Sequence, residues 1–374
     1  MREGGEVTAR LGRQTEKGRP LRFGIVGLGY WGPNLLRILS ELPGLEVRWM
    51  CDRDPDRLAR LGPRYPAVRQ AEAVDPLLED AELDALVIAT PVFTHHELAS
   101  RSLLAGKHTF VEKPLASSVE LAEQLVEMAA SAGLVLTCGH TFVYSPPVRA
   151  VKHLIGRREL GEIFFISSSR VNLGLHQRDV SVLWDLGPHD FSILLYWLEE
   201  MPESVRALGR DSIVPGVPDV AFVTLSYRSG IVVNVELSWL APSKLRRTVV
   251  VGSEKMVIYD DGMVEPVRIF DHGVVYKDPE TFGEYHLSYR TGDILSPKVE
   301  MYEPLAKEMD DFAVAVRSGS ETVASGQLAM DVVRVTQAAD ESLRQGGARV
   351  PVDDGKLAAL AAGNGDGRAG EVEG

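Results

Sequence analysis

Two groups of residues have types and spacings that could do chemistry together: Gly27, Gly29 and Gly32 with the later Asp52, and the proton-handling side chains Lys113, Asp185 and His189. The glycines follow the apolar run 21–26 at the G-x-G-x-x-G spacing, the signature of a turn that holds a pyrophosphate. Gly27 permits the tight turn, Gly29 lets the backbone approach the phosphates, and Gly32 lets the next helix pack close so that its unpaired N–H groups face the anion. Tyr30 and Trp31 lie in the same turn. Asp52 closes the second apolar run at the distance, about twenty residues, where an acid accepts hydrogen bonds from ribose hydroxyls. A carboxylate there repels a ribose phosphate and favours NAD over NADP, although the neighbouring Arg53 could hold a phosphate and keeps NADP open.

Lys113 closes another apolar run, in Glu112-Lys113-Pro114. At a carboxyl strand tip its ammonium can donate a hydrogen bond or proton to a substrate oxygen, with Pro114 fixing the chain direction. Asp185 and His189 stand in Trp184-Asp185-Leu186-Gly187-Pro188-His189-Asp190. If a helix already includes Asp185, the two share a face at i and i+4; if it begins at Pro188, a favoured first-turn residue, Asp185 precedes it. Either way an acid beside an imidazole can fix its tautomer and raise its basicity, as a base that takes a hydroxyl proton requires. A helix-capping acid and a structural histidine are the plainer alternative. Arg170, Asn172 and Arg178 are candidate substrate contacts, because two arginines near a cleft could bind a diphosphate through bidentate hydrogen bonds. Tyr289, Arg290 and Asp293 lie in an irregular segment that could also reach a cleft.

These groups need a scaffold that gathers strand tips. Apolar runs at 45–50, 84–89, 107–111 and 134–138 alternate with helical periodicity at 34–40, 55–61, 94–105 and 117–132, which predicts a parallel sheet flanked by helices. Residues just after its strands, Asp52, Thr90, Glu112 and Gly139, then face the ligand. From about residue 145 the pattern changes to a helix at 148–155, a strand at 162–170, a helix at 189–198 and strands in succession, including hairpins at 221–240 and 247–259. Helices at 304–318 and 325–344 close the fold. The expected class is α/β: a Rossmann doubly wound parallel sheet over 21–144, then an α+β substrate-binding and oligomerisation domain with a mostly antiparallel open sheet over 145–352. Residues 1–20 and 353–374 read as disordered tails.

Lys and Arg total 40 against 53 Asp and Glu, and the net charge of −13 argues against a nucleic-acid or acidic-membrane partner. A small-molecule ligand held at local helix ends stays compatible with it. No segment approaches the roughly 20 apolar residues of a membrane span, and the first 20 residues lack the apolar stretch of a secretory signal, so a cytoplasmic protein is expected. Cys51 and Cys138 are not spaced as metal ligands; they are expected to be buried thiols in a reducing compartment, with no metal site.

The run Gly27-Leu28-Gly29-Tyr30-Trp31-Gly32, the segment Ala89-Thr90-Pro91 with Thr94-His95, Glu112-Lys113-Pro114 and Asp185-x-x-x-His189 occur in one order. In that order and context the chain, over about residues 21–350, resembles the glucose-fructose oxidoreductase, inositol dehydrogenase and rhizopine catabolism family. The resemblance implies a Rossmann domain, a second domain whose open antiparallel sheet serves oligomer contacts, and NAD(P)-dependent chemistry on sugar-like secondary alcohols. It also implies that Thr90, Pro91, His95 and Glu112 stand at the coenzyme, that Lys113 touches both the reacting oxygen and the coenzyme, that His189 is the acid/base and that Asp185 assists it. One departure concerns Gly139-His140-Thr141-Phe142-Val143-Tyr144, where many members carry a polar or basic run; His140 either lines the cleft or packs.

The expectation is an NAD-dependent dehydrogenase acting on a ring secondary hydroxyl of a nucleotide-linked sugar, in a self-associating protein, dimer or tetramer. A free inositol or aminocyclitol is the alternative substrate. A non-catalytic dinucleotide sensor is the alternative of another class. Such a sensor has no need of Lys113, Asp185 and His189 together.

Overall fold

The computed structural model describes residues 18–174, 180–277 and 286–352. In its first part β1 (Leu21–Val26), α1 (Gly32–Glu41), β2 (Leu45–Cys51), α2 (Pro55–Leu61), β3 (Arg69–Ala71), α3 (Asp75–Glu79), β4 (Ala85–Ile88), α4 (His95–Leu104), β5 (His108–Val111), α5 (Val119–Ala132) and β6 (Leu136–Cys138) alternate. The strands pair in parallel in the order β3-β2-β1-β4-β5-β6. The order reverses between β1 and β4, which leaves a crevice beyond their carboxyl ends. All four residues of β4 are buried, as a strand covered on both faces requires, and its sequence is correspondingly apolar throughout. The sequence pattern does not reveal β3, because Arg69 and Gln70 are exposed at the sheet edge and carry no apolar signal.

A 3₁₀ turn at Thr141–Tyr144 leads into α6 (Pro146–Gly156), β7 (Ile163–Leu173), α7 (Val182–Leu198), β8 (Ser204–Arg210), β9 (Val220–Ser226), β10 (Val232–Ser238), β11 (Leu240–Gly252), β12 (Met256–Asp260), β13 (Val267–Lys277), β14 (His286–Leu295), α8 (Pro304–Ser318), α9 (Gly326–Arg344) and β15 (Val350–Pro351). The nine strands form one sheet, β14-β13-β12-β11-β7-β10-β9-β8-β15. Within it β7 and β10 run parallel and the other pairs antiparallel. One face packs on α7: Phe191 and Leu194 share a core with Ile166, Val223 and Val235. Alternation along β7, β9 and β10 turns Phe165, Phe222 and Val232 to the other face, where they are exposed.

α7 begins earlier than Pro188. Ser181 caps it, its hydroxyl accepting from the Trp184 amide, so Asp185 lies in the first turn and Pro188 inside the helix. The interior proline removes one helical hydrogen bond. Burial of eleven residues of this helix, among them Phe191 and Trp197, offsets that loss. α8 and α9 turn back onto the first sheet: Met309 and Phe312 of α8 share a core with Phe23 and Phe110, while α9 places Met330 and Val333 against Ile88 and Leu125 and Val332 and Val335 in the second core. Their amphipathic stripes are legible in sequence. Which sheet they cover is not, since that depends on a return over more than a hundred residues.

Candidate active site

The crevice is a cleft of about 1630 Å³ walled by both sheets. Its floor is the β1–α1 turn. Gly27 has φ +95°, and a Cβ there would fall 2.4 Å from the Ala89 carbonyl oxygen; a Cβ on Gly32 would fall 2.0 Å from that of Gly27. Both positions therefore admit only glycine. At Gly29 the surface is open, with the Arg57 guanidinium 3.6 Å from where a Cβ would sit, so the backbone is left bare to a ligand. α1 has no acid in its first turn, and its amino-terminal dipole stays available to an anion.

Asp52 is held by three donors. The Leu28 amide donates to Oδ2 at 2.7 Å, the Asp54 amide to Oδ1 at 2.9 Å and Arg57 Nη1 to Oδ2 at 3.2 Å. Burial would raise its pKa, but the amides of Asp54 and Leu28 and the Arg57 guanidinium together hold it below the usual carboxylate value. The ionised acid is thus fixed at the strand tip with lone pairs left for ribose hydroxyls. Tyr30, Trp31, Arg53, Thr90 and Pro91 also line the cleft. His95 does not: it is buried, with ring nitrogens 2.8 Å from the carbonyl oxygens of Pro114 and Thr90. It braces two strand-tip loops against each other.

At the far end Lys113 meets α7. Its Nζ donates to Asp185 Oδ1 at 3.0 Å and to the Asp185 carbonyl at 2.8 Å, and Trp239 Nε1 donates to Asp185 Oδ2 at 3.2 Å. The carboxylate therefore orients Lys113 and not His189, although Asp185 and His189 do fall one turn apart on α7. An ammonium has three N–H bonds, so this pairing leaves one directed elsewhere. Glu112, Asn172, Trp184 and Trp239 line the same end.

His189 is half-buried one turn beyond Asp185 on α7 and is not among the residues that line the cleft. It packs edge-on against Phe142 with ring centroids 5.1 Å apart, and its Nδ1 is buried without a partner. Burial, then the charges of Lys113, Arg170 and Arg246, hold its pKa well below the usual histidine value, so the ring is neutral. His140 is buried behind the cleft with both ring nitrogens unpartnered, and burial pushes its pKa down to about 3. Arg170 also lies behind the wall: Nε pairs with the buried Asp190, and the guanidinium covers Phe142 at 4.5 Å. A substrate diphosphate would have to compete with Asp190 for it. Arg178 falls outside the described residues. Tyr289 and Asp293 are exposed and Arg290 pairs with Asp271, none of them lining the cleft.

Arg57 and Trp239 also hold the site's two carboxylates, Asp52 and Asp185, and the sequence does not mark either of them. Five residues separate Arg57 from Asp52, a spacing that α2 converts into contact; Trp239, just past β10, meets Asp185 only through the sheet, with no local signal. Cys51 and Cys138 are free and buried, and among the described residues no cluster of His, Cys, Asp or Glu could hold a metal ion. Among those residues no helix is long and apolar enough to cross a membrane.

Comparison with known proteins places the chain in a family. Residues 21–140 match the family model described as an oxidoreductase family with an NAD-binding Rossmann fold, and 148–258 match the GFO/IDH/MocA C-terminal domain. The uncharacterized oxidoreductase YrbE of Bacillus subtilis is 23% identical over 86% of this chain and 94% of its own length. The UDP-N-acetylglucosamine 3-dehydrogenase of Acidithiobacillus ferrooxidans is 28% identical over 61% of this chain and 70% of its own. Two further curated relatives match over 53% and 61% of their own lengths. Among solved structures, GenD2 from gentamicin A biosynthesis, in complex with NAD, superposes with a TM-score of 0.76 at 26% identity, over 91% of this chain and 99% of that one.

Proposed function

Because this chain belongs to the GFO/IDH/MocA family of NAD-binding oxidoreductases, we propose that it moves a hydride between the nicotinamide and a secondary alcohol or ketone of a sugar, most readily a nucleotide sugar. The observation that carries the reading is the Lys113–Asp185 pair, 3.0 Å apart, in the same cleft as the Gly27–Gly32 turn and Asp52. The bare backbone at Gly29 and the oriented Asp52 carboxylate fit a dinucleotide whose pyrophosphate lies at α1. When bound, that coenzyme supplies the hydride acceptor.

The chain supplies orientation and proton transfer. Lys113, steered by Asp185, donates its remaining N–H to the substrate oxygen and fixes the reacting carbon in position. His189, neutral, takes the hydroxyl proton as the alcohol becomes a ketone, and returns it in the reverse direction. Asn172 offers an amide to the substrate's hydroxyls.

The nucleotide part of the reading is supported by the named activity of the Acidithiobacillus relative. A second reading, a free inositol or aminocyclitol, is favoured by the engagement of Arg170 with Asp190. NADH formation from NAD over a panel of nucleotide sugars, free sugars and cyclitols separates the two. Turnover of a nucleotide sugar is the expected result; turnover of cyclitols alone would establish the second reading.

We further propose that the exposed face of the second sheet joins copies of the chain. Phe165 stands opposite Val232 and Leu208 opposite Phe222, all exposed on one face. Large apolar side chains exposed together on one face in this way support an interface. Light scattering is expected to give a dimer or tetramer, and Phe222→Asp to reduce it toward monomer; a monomeric wild type would refute this.

A further inference from the structure

The hydride-transfer scheme leaves two buried carboxyl groups unused. Glu112, next to Lys113, lines the cleft yet is only 8% exposed, and Glu308 of α8 lies behind it at 0%. Glu112 Oε2 accepts from the Lys113 amide at 3.2 Å, and it packs so closely on the β6 tip that a Cβ on Gly139 would fall 2.9 Å from it. Glu308 Oε2 accepts from the Thr141 hydroxyl at 2.7 Å, and its Oε1 is buried with no partner. Lys113, the cation whose charge reaches Glu112, is itself paired with Asp185. Two carboxyl groups in one low-dielectric site without a dedicated cation cannot both be ionised at neutral pH.

We propose that Glu112 senses the redox form of the coenzyme: its carboxyl sheds a proton when NAD, whose nicotinamide is cationic, binds beside it, and keeps that proton when NADH, whose dihydronicotinamide is uncharged, binds. The groups facing Glu112 are Lys113 at the β5 tip, Cys138 at the β6 tip and Glu308 on α8; Asp311 on α8 and Tyr144 on the turn after β6 face Glu308 in turn, and His140 faces Lys113. Of these, Glu308 is protonated, because burial and then the neighbouring charges of Glu112 and Asp311 raise its pKa well above the usual value, against the Thr141 hydrogen bond. Cys138 and Tyr144 are likewise pushed up by burial and stay neutral, and His140 is held neutral. Glu112 alone is poised, burial having raised it to about 7 against the pull of Lys113. A positive charge arriving beside it favours the carboxylate, so the bound state carries fewer protons and NAD affinity rises with pH through that value. The gain is up to about tenfold per pH unit, flattening once the free protein is already ionised. NADH affinity stays level over the same range.

Calorimetric titration of the whole protein with NAD and with NADH near pH 7, in buffers of different ionisation enthalpy, counts the protons directly. The expected result is a fraction of a proton released per NAD, none per NADH, none for either ligand in Glu112→Gln, and the wild-type count in Glu308→Gln, whose amide mimics the protonated acid. Equal counts for NAD and NADH, or a release that survives in Glu112→Gln, would overturn the proposal. A changed count in Glu308→Gln would likewise overturn it, by showing Glu308 ionised. The inference rests on the nicotinamide lying at the Lys113 end, and the two can fail separately: a misplaced nicotinamide leaves Lys113→Ala active, whereas a wrong role for Glu112 leaves that variant inactive.

Discussion

Lys113→Ala is expected to lower kcat/KM by about 10²- to 10⁴-fold, the range associated with a positioned proton donor or acceptor, while NAD still binds. The separation follows from the layout of the cleft. The proposed dinucleotide floor is built by Gly27, Gly29, Gly32 and Asp52, just after the first two strands, and none of the hydrogen bonds that hold Asp52 involves Lys113. The Lys113 ammonium instead joins the two halves of the molecule, from the tip of β5 to the first turn of α7. Lys113→Arg should recover little, since a planar guanidinium would meet Asp185 as a fork and could not place a single donor at the substrate oxygen. Calorimetric titration with NAD beside initial rates makes the test. A variant that loses NAD binding in parallel with turnover would assign Lys113 to the coenzyme floor, and turnover within threefold of wild type would remove it from the reaction.

The parts of this arrangement that sequence reveals are those encoded locally. The β1–α1 turn is legible because the G-x-G-x-x-G spacing, the positive φ of Gly27 and the approach of Gly32 to the Gly27 carbonyl belong to the turn itself, although Gly27 also meets the distant Ala89, and the helices at 55–61 and 304–318 because their periodicity and proline starts are local. Asp185 and His189 are legible as a pair, but not the direction in which Asp185 points. Its partners, Lys113 and Trp239, lie 72 and 54 residues away, and the hydrogen-bond geometry between them is set by the meeting of two sheets. The same reason hides the fate of Arg170. On an isolated strand it reads as an exposed cation near a cleft, but the pleat turns it inward, where Asp190, itself bonded to the Ser168 hydroxyl, claims it. His95 reads as part of a coenzyme motif and serves as a brace, because the backbone carbonyls it spans come from two different loops. Glu112 shows the reverse case. Its place at a strand tip is evident, but its burial against α8 requires a helix that follows nearly two hundred residues later.

In the direction of alcohol oxidation, kcat at saturating NAD is expected to hold level as pH falls through 6.5, the ordinary titration point of histidine, and to decline only well below it. The base must be neutral to accept the hydroxyl proton. His189 is kept neutral first by burial and then by the surrounding cations, so its protonation is displaced to lower pH and the acid limb moves with it. Saturating NAD matters here, because under the proposal above it keeps Glu112 ionised and removes that group from the profile. Measuring kcat in place of kcat/KM also reports the groups of the bound complex. His189→Asn should cost about 10²- to 10⁴-fold in kcat and leave no acid limb of this origin. Arg246 supplies an independent check, since its charge lowers the His189 pKa from behind Phe142, at 5.4 Å from that ring. Its replacement by Leu withdraws one lowering influence, so the limb should shift to higher pH with the rate on its plateau largely retained. A limb centred at 6.5 in the wild type, or an acid limb that persists unchanged in His189→Asn, would show that His189 does not carry the proton.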